Sequence, residues 1–457
     1  MKKTILALGV IATFVGASVF MTSTGCGSGK PDSDTLKGDS PVVAGIPNAY
    51  AMQPVDMRAQ TQESADTFSW MSFIAMNWPA NASTCGPDTT KNILTGGGPV
   101  VWETYLADDQ IYVDTNKRPA AWCNQNANAV LENLPASVQE LSRKTGITRF
   151  IHTNAKIDSM AGIDEAFGGP LVDQNGRFVR YEVRVNADEY NYITTNTLWN
   201  KKGQAAFTKD STISFPVGQT KYGSVGAMEI KAAWKVLGAN DDTSSFYTIE
   251  AIVYNDNGGK VSPGANPVML GLVGLHIAHK TPTQKNWVWS TFEHQDNLTK
   301  SFFNPACDTC KPNQPIPGTN IVELNPQGLP IHSPTQVTRV NPLDDPYLDG
   351  INTYFQGMLK GSVWANYELI GTQWFQFEAV ATSYLANSVL ETYLQGPSPA
   401  SYGTYPLRQG EVYFTDPRYQ PFSSNSSSSC MGCHFKAHSN AKPSFKYDFS
   451  FLMGEAK

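Results

Sequence analysis

Two neighbouring apolar stretches decide the fold that this sequence predicts. They read VMLGLVGLHIAHKT, residues 268–281, and NWVWSTFEHQDN, residues 286–297. Both are rich in the aliphatic and aromatic residues that favour strands, and only a short connection separates them. We therefore expect one antiparallel hairpin at the centre of a sheet.

Further strand-like segments surround this hairpin, and two of them lie beside Asn-Gly turns, which favour hairpins. Five or six such strands predict an α+β fold: a β-rich body, either a sheet or a sandwich, with flanking helices. The expected strands are residues 178–185, 212–218, 227–237 and 246–260. The expected helices are residues 68–79, 128–146, 187–207, 357–375 and 378–396.

Length and charge limit the function classes. The chain has 457 residues, which is enough for two or three domains or for one large elaborated domain. Its formal net charge is −6 and it shows no basic stripe, so we expect no nucleic-acid partner.

The N-terminus has the pattern of an export signal. Lys2 and Lys3 precede an apolar stretch at residues 4–21, and STGC follows at residues 23–26. STGC resembles the lipobox of bacterial lipoproteins, although Ser23 stands where that family usually has an aliphatic residue. The resemblance implies a signal peptide over residues 1–26 and a lipid on Cys26. A plain cleaved signal and an uncleaved anchor remain alternatives.

A second motif lies close to the other end of the chain. Cys430, Cys433 and His434 follow a run of serines in the spacing CxxCH. Two thiols at this spacing can form thioethers with the two vinyl groups of one porphyrin, and the histidine can then ligate the iron. Zinc needs four ligands, and a redox CxxC usually opens a helix in a βαβ unit. The motif therefore predicts one covalent haem c.

This motif on an exported chain resembles the c-type cytochromes. The resemblance covers five residues and the export signal, and it implies electron transfer. Small class I cytochromes c carry CxxCH near the N-terminus, whereas here 23 residues follow His434. We therefore expect a different fold, in which a haem-attachment segment at residues 423–457 docks on a body at residues 46–422. A flexible linker at residues 27–45 would precede this body.

Four further cysteines are available for disulfides in an exported protein. Three pairings of these four are possible, and the shortest separations favour Cys85–Cys123 and Cys307–Cys310. For the second pair, a zinc half-site and a variant haem motif are the alternatives.

The sixth ligand of the iron decides what such a haem does, because an open position binds small molecules and a filled one favours electron transfer. The distal candidates are His294, His276 and Met453. His294 lies at a strand end among polar groups, and Met453 lies in the C-terminal tail. On a strand, His276 shares its face with Gly274 and Ala278, which would leave room for a flat ring.

The expected function is one-electron transfer in the periplasm or at the outer membrane. Such a protein would need a redox partner protein and would contact lipid through its N-terminal anchor. A haem enzyme of peroxidase or dehydrogenase type, acting on a small molecule at an open distal site, is the first alternative. A haem-based sensor or binding protein is the second.

Overall fold

The structure is a computed structural model. It describes residues 46–58, 61–112, 117–123, 131, 134–153, 170–219, 224–255, 267–284, 286–314, 334–340, 347–377, 380–381, 385–395, 413–414, 430–434 and 437–457. The predicted signal peptide, Cys26, the linker and the serine run lie outside these described residues.

One eight-stranded sheet forms the centre of the body. Its strands lie in the order β8-β7-β6-β4-β3-β1; β5 pairs with the first part of β6, and β2 pairs in parallel with β5. All other pairs in this sheet are antiparallel. The strands are β1 Leu106–Ala107, β2 Phe150–Thr153, β3 Arg180–Val185, β4 Met228–Val236, β5 Thr248–Asn255, β6 Val268–Lys280, β7 Trp287–His294 and β8 Tyr367–Gln373.

Helices flank the sheet, so the predicted α+β class with a β-rich body is confirmed, and the body contains a sheet rather than a sandwich. The helices are α1 Gln62–Met76, α2 Asp108–Ile111, α3 Ala136–Thr145, α4 Ala187–Thr195, α5 Lys201–Phe207, α6 Leu348–Met358 and α7 Cys430–His434. Shorter 3-10 turns are Asn48–Ala51, Val101–Thr104, Thr243–Ser245, Val363–Asn366, Thr392–Leu394 and Phe451–Glu455, with a π turn at Asn297–Ser301. Short strands outside this sheet are Ala80–Asn81, Gly86–Pro87, Phe375–Phe377, Val380–Ala381 and Tyr413–Phe414.

The hairpin predicted from residues 268–297 is confirmed as β6 and β7. Its register places Lys280 opposite Trp287, Ala278 opposite Trp289, and His276 opposite Thr291. Residues that lie opposite each other share a face of the sheet, so this register gives three consecutive rows on one face.

The two faces of the sheet are covered by different elements. On the first face, α1 and α6 pack through Trp70 and Phe355, whose rings stack 5.3 Å apart, while Trp70 also contacts Phe292 of β7. On the second face, Met431 and Met453 from the C-terminal segment join the same buried cluster as Trp287, Trp289 and Val185. The segment that carries CxxCH is therefore part of the packed body.

Some local predictions were wrong. Residues 357–375 were expected to be helical, but Tyr367–Gln373 is β8, because pairing with β7 completes the hydrogen bonds of a buried strand. Residues 212–218 were expected to form a strand. In the structure they contribute one isolated β-bridge, between Val217 and Gly226. Within residues 378–396, the described parts contain a short strand and a 3-10 turn instead of a helix.

None of the helices in the described part of the chain is long and apolar enough to cross a membrane.

Candidate haem site

The CxxCH motif forms one short helix on the second face of the sheet. The side chain of Met431 is fully buried, and its backbone N–H donates to Gln373 Oε1 at 2.8 Å, which ties the helix to the end of β8. Cys430 is half-buried, with its Sγ 3.7 Å from the carbonyl of Leu385. Cys433 lies in the same helical turn, but its side chain is outside the described part of the structure.

His434 is fixed in one orientation and one tautomer. Its Nδ1 lies 2.8 Å from the carbonyl oxygen of Phe449. A carbonyl only accepts, so Nδ1 carries the hydrogen, and Nε2 of the neutral ring keeps its lone pair. Burial is the main cause that lowers the pKa of His434 to about 4, so the ring is neutral at pH 7.

Aromatic rings enclose the imidazole of His434. Its centroid lies 4.3 Å from that of Trp289 and 5.2 Å from that of Phe451. These contacts bury part of the ring, and burial disfavours its charged form.

The backbone that holds His434 is itself anchored to the sheet. The carboxylate of Asp448 accepts from the backbone N–H of Phe215 at 2.7 Å and from Lys280 Nζ at 2.5 Å. The carbonyl of Asp448 accepts from Trp287 Nε1 at 2.7 Å. Asp448 and Phe449 both have positive φ, 51° and 71°, which is uncommon for residues with a side chain. Such strain persists where several contacts impose it, and here it directs the Phe449 carbonyl at the imidazole.

A polar group borders His434 on the same face of the sheet. His276 of β6 lies opposite Lys231 of β4, and its Nε2 is 3.5 Å from Glu391 Oε2. Burial raises the pKa of Glu391, but the attraction of His276 and Lys231 outweighs it, so the net shift is downward and the carboxyl stays ionised. Lys231, His276 and Glu391 also act electrostatically on the pKa of His434, with smaller effects than burial.

The donors around His434 fit a haem. Trp289 Nε1 is buried without a hydrogen-bond partner in the described part of the chain, whereas His276 Nε2 faces the carboxylate of Glu391 at 3.5 Å. Leaving such a donor unpaired costs about 1–3 kcal/mol, so the indole N–H of Trp289 is available to a polar group of a ligand beside His434. A haem would be held through its iron by His434 Nε2, and its propionates could accept from Trp289 Nε1. Trp289, Phe451 and the CxxCH helix would supply the apolar wall.

The other distal candidates are occupied elsewhere. His294 lies five residues beyond Trp289 on β7; its Nε2 bonds to the Ser245 carbonyl at 2.9 Å, and its Nδ1 accepts from the Asp296 N–H at 3.1 Å. Both ring nitrogens are therefore used. Met453 is fully buried in the core, and Tyr112 donates to its sulfur at 3.6 Å. These contacts favour structural roles for both residues.

The space expected beside His276 is partly filled. Gly274, His276 and Ala278 do share one face. However, a Cβ on Gly274 would lie 2.8 Å from Val389 Cγ2, so protein atoms occupy the room that the glycine leaves.

Sequence reasoning missed the residues that complete the site. Phe449, Trp289 and Glu391 reach His434 and His276 through contacts between distant parts of the chain, and no local spacing indicates them. The positive φ values at Asp448 and Phe449 have no glycine or asparagine as a signal.

The four remaining cysteines form the two predicted pairs. Cys85 and Cys123 are joined, as are Cys307 and Cys310. The second CxxC is thus a disulfide within a surface segment.

Comparison with protein-family models, with curated proteins and with solved structures finds no match for this chain.

A buried carboxyl pair lies beside the segment that holds His434. Glu189 of α4 is fully buried, and its carboxyl is in hydrogen-bond contact with that of Glu229 on β4, without another donor among the described residues. Carboxylates only accept, so one of the two must hold a proton. Burial first, then the charge of Glu229 and that of Asp448, raises the pKa of Glu189 well above its usual value.

This pair predicts a pH dependence of stability. The carboxyl pair of the folded protein keeps a proton, whereas a glutamate in the unfolded chain releases its proton above about pH 4.3. The free energy of unfolding therefore falls as the pH rises from about 4.3 through the pKa of the pair in the folded protein. The slope is about 1.4 kcal/mol per pH unit while one proton separates the two states. We expect Glu189→Gln to flatten this decline, as measured by urea unfolding between pH 5 and pH 8. The exposed Glu140→Gln is the control, and identical slopes for wild type and Glu189→Gln would contradict the assignment.

Proposed function

We propose that this protein is an exported c-type cytochrome that carries one haem on Cys430, Cys433 and His434 and transfers single electrons. The observation that carries the proposal is the state of His434. Its Nδ1 donates to a backbone carbonyl, and its Nε2 keeps a lone pair next to two cysteines of a haem-attachment motif. Iron-ligating histidines are commonly fixed in this way through their second nitrogen.

The surrounding residues have separate roles in this proposal. The Phe449 carbonyl orients the imidazole and increases its basicity as a ligand. Trp289 and Phe451 shield part of the ring from water, and Asp448 holds the carbonyl in place through Lys280. A bound haem would supply the one-electron change of its iron, and an apolar, rigid surrounding reduces the reorganisation that accompanies such a change.

Export and membrane attachment are part of the same proposal. Covalent haem attachment suits an exported protein, and the N-terminal pattern indicates a signal peptide that ends at Cys26. The absence of an aspartate after Cys26 favours the outer membrane, and a redox partner protein would exchange electrons there.

The two CxxC motifs of the chain provide a matched test. We expect the wild-type protein, exported in a bacterium with haem-attachment machinery, to retain haem in a denaturing gel. Cys430→Ala combined with Cys433→Ala should lose it entirely, because both thioethers disappear. Cys307→Ala combined with Cys310→Ala should retain it, since this motif lacks a histidine and forms a disulfide. A wild-type protein without covalent haem would refute the proposed function.

A further inference from the structure

A pocket of about 500 Å³ lies between α1 and α6, the two helices that cover the first face of the sheet. From α1, Glu63, Thr67 and Met71 line it at the four-residue spacing that places side chains on one face of a helix. Along α6, Tyr347 at its N-cap and Tyr354 are two helical turns apart and therefore also share one face. The CxxCH segment packs on the second face of the sheet, so this pocket is separate from the candidate haem site.

Contacts between the two helices fix the walls of this pocket. The rings of Trp70 on α1 and Phe355 on α6 stack with their centroids 5.3 Å apart, and Trp70 Nε1 donates to Asn352 Oδ1 at 2.9 Å. Asn352 Nδ2 in turn donates to the carbonyl of Leu369 on β8 at 2.9 Å. The pocket is therefore preformed, as most small-molecule sites are.

Three tyrosines give the pocket an aromatic rim. Tyr347 and Tyr354 are each 61% exposed, and Tyr50, on the 3-10 turn that precedes α1, is half-buried. Rings that stay this accessible contribute little to the core of their own protein. Accessible aromatic rings gathered at one pocket mark a binding site, whereas scattered exposed side chains do not.

Glu63 supplies the charge of the pocket. Its side chain is exposed, and its carboxylate has no ion pair or hydrogen bond within the described part of the chain. Among the described residues, no Lys, Arg or His lines the pocket. Burial, and then the charge of an ionised Tyr354, raises the pKa of Tyr50, so this phenol is neutral at pH 7. The faces of tyrosine rings carry negative potential, so the pocket attracts cations.

The polar groups of the pocket favour an organic cation over a sugar. A sugar brings many hydroxyl groups, and each needs a hydrogen-bond partner when it is buried. Besides the tyrosine hydroxyls, the lining offers only Glu63 and Thr67, and the Thr67 hydroxyl already donates to the Glu63 carbonyl at 2.8 Å. A primary ammonium has three N–H groups to satisfy, whereas a trimethylammonium group has none and binds to aromatic faces.

We propose that this pocket binds a quaternary ammonium compound. Its trimethylammonium group contacts the rings of Tyr50, Tyr347 and Tyr354, and the Glu63 carboxylate is its counter-charge. The inference goes beyond the proposed electron transfer and does not depend on it, because none of the residues that carry it belongs to the candidate haem site.

Isothermal titration calorimetry of the purified protein with choline chloride tests the ligand class. Neohexyl alcohol is the matched probe, because a tert-butyl group replaces the trimethylammonium group and the shape stays the same without the charge. We expect choline to bind about tenfold more tightly than this alcohol, since the rings and Glu63 favour the charge. Equal affinities for the two probes, binding of maltose instead of choline, or no binding of choline at millimolar concentrations would each overturn the inference.

Two glycines of α6 test the location of the site. A Cβ at Gly350, which lines the pocket, or at Gly357, which does not, would meet no atom within 4 Å. Both can therefore be replaced without a clash, and the loss of a helical glycine favours the fold. Gly350→Phe should fill the pocket and abolish choline binding, whereas Gly357→Phe should bind choline as wild type does. Choline binding that survives Gly350→Phe would overturn the inference.

Tyr354 tests the contact with the aromatic ring. Tyr354→Ala should weaken choline binding about tenfold, and Tyr354→Phe should bind as wild type does, since the ring and not the hydroxyl makes the contact. Tyr354 is mostly exposed, so both variants should fold. A loss in Tyr354→Phe as large as that in Tyr354→Ala would contradict the aromatic contact.

Discussion

Trp289→Ala is expected to destabilise the protein by about 3–5 kcal/mol, the usual cost of removing a buried tryptophan side chain. Trp289 is 5% exposed and packs against His434 on one side of the sheet. Its removal leaves a cavity between β7 and the CxxCH helix, so the C-terminal segment loses the aromatic surface against which His434 packs. Urea unfolding of the wild type and the variant measures the difference.

Trp289→Phe separates packing from hydrogen bonding at this position. It keeps an aromatic face for His434 but lacks Nε1, which has no hydrogen-bond partner among the described residues. We expect a loss well below that of Trp289→Ala in the haem-free protein. Equal losses for the two variants would contradict the assignment of this contact as packing.

Asp448→Ala is expected to cost about 3–5 kcal/mol, because it leaves the ammonium of Lys280 buried without its partner. Lys280 is 4% exposed, so water cannot replace the lost carboxylate. The same change removes the acceptor of the Phe215 N–H and loosens the backbone that orients His434. Urea unfolding measures the loss of stability.

A double variant shows whether the cost arises from the unpaired charge. Burial outweighs the attraction of Lys280 and raises the pKa of Asp448, so the pair itself adds little net stability. Lys280→Met with Asp448→Asn should therefore be much less destabilised than Asp448→Ala alone. Lys300→Ala, which breaks a surface pair with Asp296, should change stability by less than about 0.5 kcal/mol. A double variant as unstable as the single one would contradict this account.

The central sheet could be predicted because its signals are local. Alternation and strand-forming residues marked β6 and β7, and a short connection set them as a hairpin. By contrast, β8 was taken for a helix, since its residues have no clear period of two and its strand conformation depends on pairing with β7. Pairing with a distant strand therefore determines the conformation of β8, which the local sequence pattern does not indicate.

The candidate haem site also combines residues that local sequence signals identify with residues that only the fold brings together. CxxCH spacing pointed to Cys430, Cys433 and His434 without any structure. The contacts of His294 could not be foreseen from the sequence, because both of its ring nitrogens are bound by groups that the fold brings to them, the Ser245 carbonyl and the Asp296 N–H. The Phe449 carbonyl could not be foreseen either, since it reaches His434 through a backbone conformation that its own residue type disfavours.

Mass spectrometry of the peptide that spans Cys430–His434 shows whether this motif carries haem. The protein would be exported in a bacterium with haem-attachment machinery and digested without reduction. We expect a peptide that carries one haem through both cysteines. A peptide without haem, with its two cysteines unmodified or joined to each other, would contradict this expectation.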